Sequence, residues 1–491
     1  MRRSAMMAHD NANNAGAKSM ENDVENAIHF ETIQGLARQI QSGRLSPVAL
    51  AERMLARIEA HDGRLKSYAT VMAESALAEA RAAAAEIADG KYRGPLHGIP
   101  IAVKDLCFTK GVRTMGGLAV LADHVPDFDA TVVVRLRAAG AVLLGKLNLT
   151  EGAMAGYNPK FDVPENPWKE SHWAGASSSG SGAATAAGLA FATLGSDTGG
   201  SIRHPAAACG TVGLKPTWGR VSRHGVLDLA QSLDHVGPLT RCSADAGIVL
   251  AAMAGADGDD PTTLLDPVPD MLAGLEAGVQ GLRIGWDLRY ATDGLAADHA
   301  AAMAAGVEVL AGLGAEIIPV SMPDRLAEYL PAWSVLCTAE AAHAHRDTYP
   351  SRGGEYGPWF GEWLARGRAL TAMDYAQANN LRAACNGALR RTMADIDLLA
   401  CPSTANAAHA VTAEISYGPI PERDPWLTRF TVPMDFAGLP TISLPCGLSE
   451  GGLPLSLQLV GHALAEPLLV QAGAAFEGAT EWHDLHPPGW D

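Results

Sequence analysis

The chain has 491 residues, 37 of them Lys or Arg against 54 Asp or Glu, a formal net charge of −17 at pH 7. That balance excludes the clustered cationic surface on which non-specific binding to nucleic acid or an anionic membrane rests. An apolar share of 48% excludes a wholly disordered chain, and the length allows two to four domains or one large α/β domain.

The opening segment, MRRSAMMAHDNANNAGAKSMEN, has no apolar stretch of signal-peptide character and is expected to be a disordered leader over residues 1–28. Ile33, Leu36, Ala37 and Ile40 then recur at helical spacing, and Gly43 stops that helix. Ser46 offers an N-cap to a second helix, with Pro47 at its first position. Residues 73–88 read as a third, alanine-rich helix. The run from Gly94 to Asp105 approaches through turns and becomes an apolar strand ending on Lys104, at the kind of sheet edge where α/β sites sit. A helix over 130–139 and a strand over 141–144 follow. Next come a helix over about 182–191, a strand over 192–195, a loop, and a helix from about Ser201. Strand 282–286, helix 297–312 and strand 316–320 precede a more irregular region over 322–370. A helix over 373–394, a strand over 396–400, two strands near 441–460 that close the sheet, and a helix over 466–477 complete the pattern. This alternation predicts an α/β fold with a large mixed, mainly parallel central sheet covered by helices on both faces. No low-complexity linker interrupts it, so residues 29–485 are expected to be one domain.

Seven cysteines, odd in number and never in C-x-x-C spacing, predict neither a disulfide framework nor a cysteine zinc site. They suit a reducing cytoplasm. No apolar run reaches about 18 residues, so no membrane span is expected.

The stretch Gly175 to Ala206 is dense in glycine and serine and has no lysine. It lacks the G-x-x-x-x-G-K-[ST] of a phosphate cradle, and Thr185 stands where a dinucleotide fingerprint needs its third glycine. Interleaved helical and strand segments argue against a flexible linker. A G-x-S-x-G elbow does occur at Gly447 to Gly451, but between two strand-like runs, so Ser449 reads as a hairpin-turn residue. The stretch does offer an oxyanion site. Thr198, Gly199, Gly200 and Ser201 sit just ahead of a helix, where successive N–H groups converge. Asp197 and Arg203 flank the loop, placed to brace it as an ion pair. Ser201 reads as the nucleophile. The only histidines that come into question are His204, next to Pro205, and His172 upstream, and a lysine serves as base when burial depresses its pKa. Lys104, at the end of an apolar strand and followed by Asp105, suits that role.

At this point the residues resemble a family. Gly175 to Gly180 and Asp197 to Pro205 resemble the glycine/serine-rich signature of the amidase signature hydrolases at its usual separation. The likeness extends to residues 94–105, Leu143 to Asn148, Gly213 to Thr217, Ser232 to Thr240, Phe430 to Pro440 and Leu453 to Gly461. It implies a Ser-cisSer-Lys triad. Ser201 would be acylated, Ser177 at a cis peptide would relay the proton, and Lys104 would accept it as a neutral amine. Backbone N–H groups of Thr198 to Ser201 would form the oxyanion hole. Ala176 and Ser179 stand where the family commonly has glycine, within its tolerance. Ala153 and Met154 resemble the acyl-pocket loop, and Ser178 is expected to bond the loop rather than react.

The region 322–370 is where this family varies and shapes its pocket. There Tyr356, Trp359, Phe360 and Trp363 suggest a lid for a bulky or aryl substrate, with Trp359 and Trp363 taken as substrate-binding. His343 and His345 invite a metal reading, against which their spacing on a helix argues, since residues two apart face different ways. The expected function is a cofactor-independent, metal-free amidase acting on small-molecule amides, cytoplasmic, with a homodimer allowed and no nucleic-acid or membrane partner. The alternatives are a carbamate or ester hydrolase with the same triad, the amidase subunit of a glutamine-dependent tRNA amidotransferase, and a non-enzymatic binding member.

Overall fold

Among the described residues, 28–422 and 424–490 of a computed structural model, eleven strands form one sheet. The expected leader lies outside them except for its last residue. The strands are β1 (Tyr68–Val71), β2 (Pro100–Lys104), β3 (Val142–Leu147), β4 (Ala192–Asp197), β5 (Val212–Lys215), β6 (His235–Thr240), β7 (Arg283–Trp286), β8 (Glu316–Pro319), β9 (Leu398–Pro402), β10 (Thr441–Leu448) and β11 (Pro454–Gly461). Their order across the sheet is β1-β3-β2-β4-β6-β5-β10-β11-β9-β7-β8.

The sheet is mixed, as expected, but parallel pairing is confined to β3-β2-β4 on one side and β9-β7-β8 on the other. The other six pairings are antiparallel. The β10–β11 hairpin shows why: a connection that short can return the chain only antiparallel. Ser449 sits in its turn, its N–H donating to the Leu453 carbonyl at 2.7 Å. That hairpin does not close the sheet. It lies in the middle, with β10 against β5 and β11 against β9.

Strands β2, β3 and β4 are buried along their whole length, which their unbroken apolar runs foretell for a sheet covered on both faces. Helices Ile33–Gln41 and Pro47–Leu65 begin on the Thr32 and Ser46 caps, and Ala73–Ala88 and Ala297–Gly312 match their expected bounds. The Gly/Ser helix α1 (Ser179–Ala186) begins earlier than expected, and α2 (Arg203–Cys209) follows the loop after β4. The region 322–370 is not irregular. It holds α3 (Pro331–Ala344) and α4 (Pro358–Ala369), each with proline in its first turn, where the missing N–H costs nothing. Gly353, Gly354 and Gly357, between the two helices, mask their periodicity in the sequence.

Parallel strands β2 and β4 end side by side, so Lys104 and the loop after Asp197 reach the same edge, where α1 and α2 both begin.

Candidate active site

Lys104 is fully buried at the end of β2. Its Nζ lies 2.7 Å from Ser177 Oγ, 2.9 Å from Ser178 Oγ and 2.9 Å from Ser196 Oγ. All three partners are hydroxyls. Burial pushes the amine down to about 7, against a smaller upward pull from Cys107, Asp197 and Asp234. Asp105 does not pair with Lys104. Successive strand residues point to opposite faces, and Asp105 meets Lys146 at 3.3 Å instead.

The Ala176–Ser177 peptide is cis, and the Ser177 carbonyl accepts the Thr150 N–H at 3.2 Å. Ser178 binds the loop, as expected. Its hydroxyl donates to the Ser201 carbonyl at 2.5 Å and accepts from Lys104. That bond ties the start of α1 to Ser201, two residues before α2. Ser201 itself is partly exposed and lines a cavity of about 770 Å³.

The loop from Thr198 to Ser201 is shaped from outside. Asp197 accepts the N–H groups of Gly200 at 2.6 Å and Ile202 at 2.9 Å, and it takes two bonds from the Arg203 guanidinium, at 3.0 and 2.8 Å. Burial opposes its ionisation, but the guanidinium and the N–H donors outweigh burial and hold the carboxyl well below the usual range. Arg203 also donates to Asp435 at 2.6 Å, the Thr431 carbonyl at 3.0 Å and Gln458 at 3.2 Å. Burial pushes Asp435 up to about 8, leaving it the weaker acid of the two carboxyls that share this cation.

Carbonyls around the loop are claimed one by one. The Thr198 carbonyl accepts the Trp333 indole N–H at 2.9 Å, that of Gly199 the Thr431 hydroxyl at 2.7 Å, and that of Gly200 the His204 N–H at 2.6 Å. In a trans peptide the next N–H points the opposite way. The N–H groups of Thr198, Gly199 and Ser201 have no protein acceptor among the described residues. Gly200 departs from expectation as an oxyanion donor, because Asp197 occupies its N–H. Its glycine identity is set by φ +132° and by the His204 ring, which a Cβ would meet at 2.3 Å. The Thr198 hydroxyl donates to Asp234 at 2.6 Å.

The cavity is lined by Ala153, Met154, Thr198, Gly199, Ser201, Trp359 and Trp363, and also by Trp173 and Trp333. Trp333 and Trp363 tilt against each other at 5.9 Å. The aromatic set named from the sequence divides. Tyr356 bonds Thr348 and His345 at 2.6 and 3.0 Å, and Phe360 packs on Gly152. His343 is exposed, whereas His345 is packed against Tyr356 and Phe360; among the described residues no group of three His, Cys, Asp or Glu is placed to hold a metal ion.

Sequence reasoning missed Ser196, Asp234, Trp333, Thr431, Asp435 and Gln458. Ser196 lies inside the glycine–serine stretch, and four of the others fall in segments already noted for their resemblance. Trp333 carried no signal beyond being a tryptophan in the region read as irregular.

The family model described as Amidase matches residues 49–470. A Mycobacterium tuberculosis (strain ATCC 25618 / H37Rv) protein bearing the amidase name AmiD is 46% identical over 464 residues, spanning 94% of this chain and 97% of its own. A glutamyl-tRNA(Gln) amidotransferase subunit of Trichlorobacter lovleyi is 40% identical over 484 residues, spanning 93% of this chain and 98% of its own. The X-ray structure of the peptide amidase of Stenotrophomonas maltophilia superposes with a TM-score of 0.82 at 31% identity, over 94% of this chain and 98% of that one. Fold and relatives define a hydrolase acting on carbon–nitrogen bonds. Within that class the chain belongs to the amidase family, that of the amidase signature enzymes.

Proposed function

We propose that this amidase hydrolyses small-molecule amides through an acyl-enzyme on Ser201, with Ser177 and Lys104 as its proton relay. The observation that carries the reading is the 2.7 Å contact between Lys104 Nζ and Ser177 Oγ, in a buried site where the amine has only hydroxyl partners. A lysine so placed is neutral above about pH 7 and serves as a base. As Ser201 Oγ attacks the acyl carbon, its proton passes to Ser177 Oγ while the Ser177 proton passes to Lys104 Nζ. The carbonyl oxygen becomes an oxyanion held by the N–H groups of Thr198, Gly199 and Ser201, each such donor being worth about 3–4 kcal/mol. The relay then runs backwards, the leaving nitrogen takes the proton, and the C–N bond breaks. Water repeats the cycle on the acyl-enzyme.

The indole-lined cavity supports bulky or aryl amides as substrates. Free cysteines throughout the described chain support a reducing, cytoplasmic location. Ser201→Ala abolishes turnover, and mass spectrometry of the wild-type enzyme quenched during turnover finds the acyl group on Ser201; an active Ser201→Ala protein rejects the mechanism. Trp359→Ala and Trp363→Ala lower turnover of an aryl amide more than that of a small aliphatic amide; unchanged relative rates reject the aryl assignment. The same triad acylates from carbamates and esters, so one panel of amides, carbamates and esters ranks them.

The 40% identity to a component of an amidotransferase favours one second reading, a protein that works only with partner chains. Turnover of a free amide by the purified chain alone, without tRNA, decides between the two.

A further inference from the structure

Glu151 is buried, 1% exposed, and makes no ion pair with any cation among the described residues. It stands in the loop that carries Ala153 and Met154 to the cavity. That loop starts on the relay, where the Thr150 N–H meets the Ser177 carbonyl, and closes on itself through the Glu151 N–H to the Gly156 carbonyl at 3.0 Å. The Glu151 carboxylate meets Asn158 and Gly357, neither of which lines the cavity. It accepts the Asn158 side-chain N–H at 2.8 Å and the Gly357 N–H at 3.1 and 2.9 Å from its two oxygens. Asn158 in turn donates to the Glu355 carbonyl at 2.9 Å.

Gly357 is the N-cap of α4, so the carboxylate binds an orphan N–H at the positive end of a helix. Only glycine admits it, since a Cβ there would lie 2.5 Å from Oε2. Within the next turn Trp359 covers Gly156 and Phe360 covers Gly152, whose absent Cβ atoms would sit 2.9 and 2.3 Å from them. Trp359 and Trp363 are four residues apart, on one face of α4, and both line the cavity.

We propose that Glu151 is a positioning residue that latches the tryptophan wall of α4 onto the acyl-pocket loop and so sets how well the site accepts aryl acyl groups. This rests on the amidase reading of the cavity. A carboxylate suits the task because three contacts fall on two acceptor oxygens. Glutamine keeps the shape but has one acceptor, and its NH₂ would face an N–H donor. With the latch released, the α4 wall loosens while Lys104, Ser177 and Ser201 keep their own bonds.

The test compares wild type, Glu151→Gln and Asn158→Ala on benzamide and propionamide, which share ammonia as leaving group. In both variants KM for benzamide rises about tenfold, and the loss in kcat/KM is at least fivefold greater for benzamide than for propionamide. Hydrogen exchange of the ligand-free proteins gives a readout independent of turnover: the Gly357 amide exchanges at least tenfold faster in Glu151→Gln. Equal losses on the two amides, or unchanged exchange at Gly357, overturns the proposal. If the wild-type enzyme hydrolyses neither amide, the substrate reading fails while the exchange experiment still decides whether the latch exists.

Discussion

Lys104, Lys146 and Lys215 are all fully buried, and their partners separate them. Lys146 faces a carboxylate, Asp105, at 3.3 Å, and Lys215 bonds the Leu439 carbonyl at 2.7 Å beside His235. Lys104 alone of the three has only serine hydroxyls within reach. Burial without a bonded carboxylate brings the Lys104 amine down to about 7, so the base form is lost as pH falls below that. For an amide substrate, kcat/KM therefore rises with pH through about 7 along a limb of unit slope and levels off above it. Lys104→Ala lowers kcat by at least ~10²-fold, the order of a lost general base, and moves the limb upward. A profile flat from pH 5 to 9 in the wild type contradicts the assignment. Lys104 and Ser201 stood out in the sequence because each sits at a recognisable local feature, a strand end or a glycine–serine turn, whereas Ser177 entered only through the family resemblance. Asp234 and Trp333 were not, because they reach Thr198 only after the chain has folded.

Helix α1 is buried at every residue, which its small side chains make possible. Gly180 shows the tolerance: a Cβ there would stand 2.5 Å from the Ser67 carbonyl oxygen and 2.6 Å from that of Asn148, both backbone atoms unable to step aside. Gly180→Ala is expected to destabilise by about 1–3 kcal/mol, read as a lower urea midpoint with unchanged slope. Arg203, at the start of α2, bears on the stability of a wider region. It joins α2 to Asp435 and to Gln458 on β11, so Arg203→Met leaves two carboxyls buried without their cation. That loss is expected to cost about 3–5 kcal/mol in the same denaturation experiment. At this scale the sequence was most legible where helical spacing met a cap or a stop, as in Ile33–Gln41 ahead of Gly43 and Pro47–Leu65 behind Ser46. It was least legible over 322–370, where glycines between α3 and α4 broke a pattern that packing restores.

Across the whole molecule the informative feature is the place of the last hairpin. Local pattern showed that β10 and β11 exist; their position depends on pairing between residues far apart in sequence, which no window of sequence contains. They stand between the β1 to β6 group and the β7 to β9 group, and hold the two together. A chain ending at residue 440 would leave β5 and β9 as open edges, each a template for association. It is expected to show no cooperative melt by circular dichroism and to elute as aggregate, whereas a sharp monomeric transition would show that the halves fold alone. The arrangement also has a consequence in time. Strand β5 leaves the ribosome 226 residues before the start of its partner β10. At ~5–20 residues per second that is a wait on the order of 10–45 s. Throughout it six strands stand beside a bare edge, so the nascent chain, more than the finished enzyme, is the form that misassembles and that holding chaperones must shield.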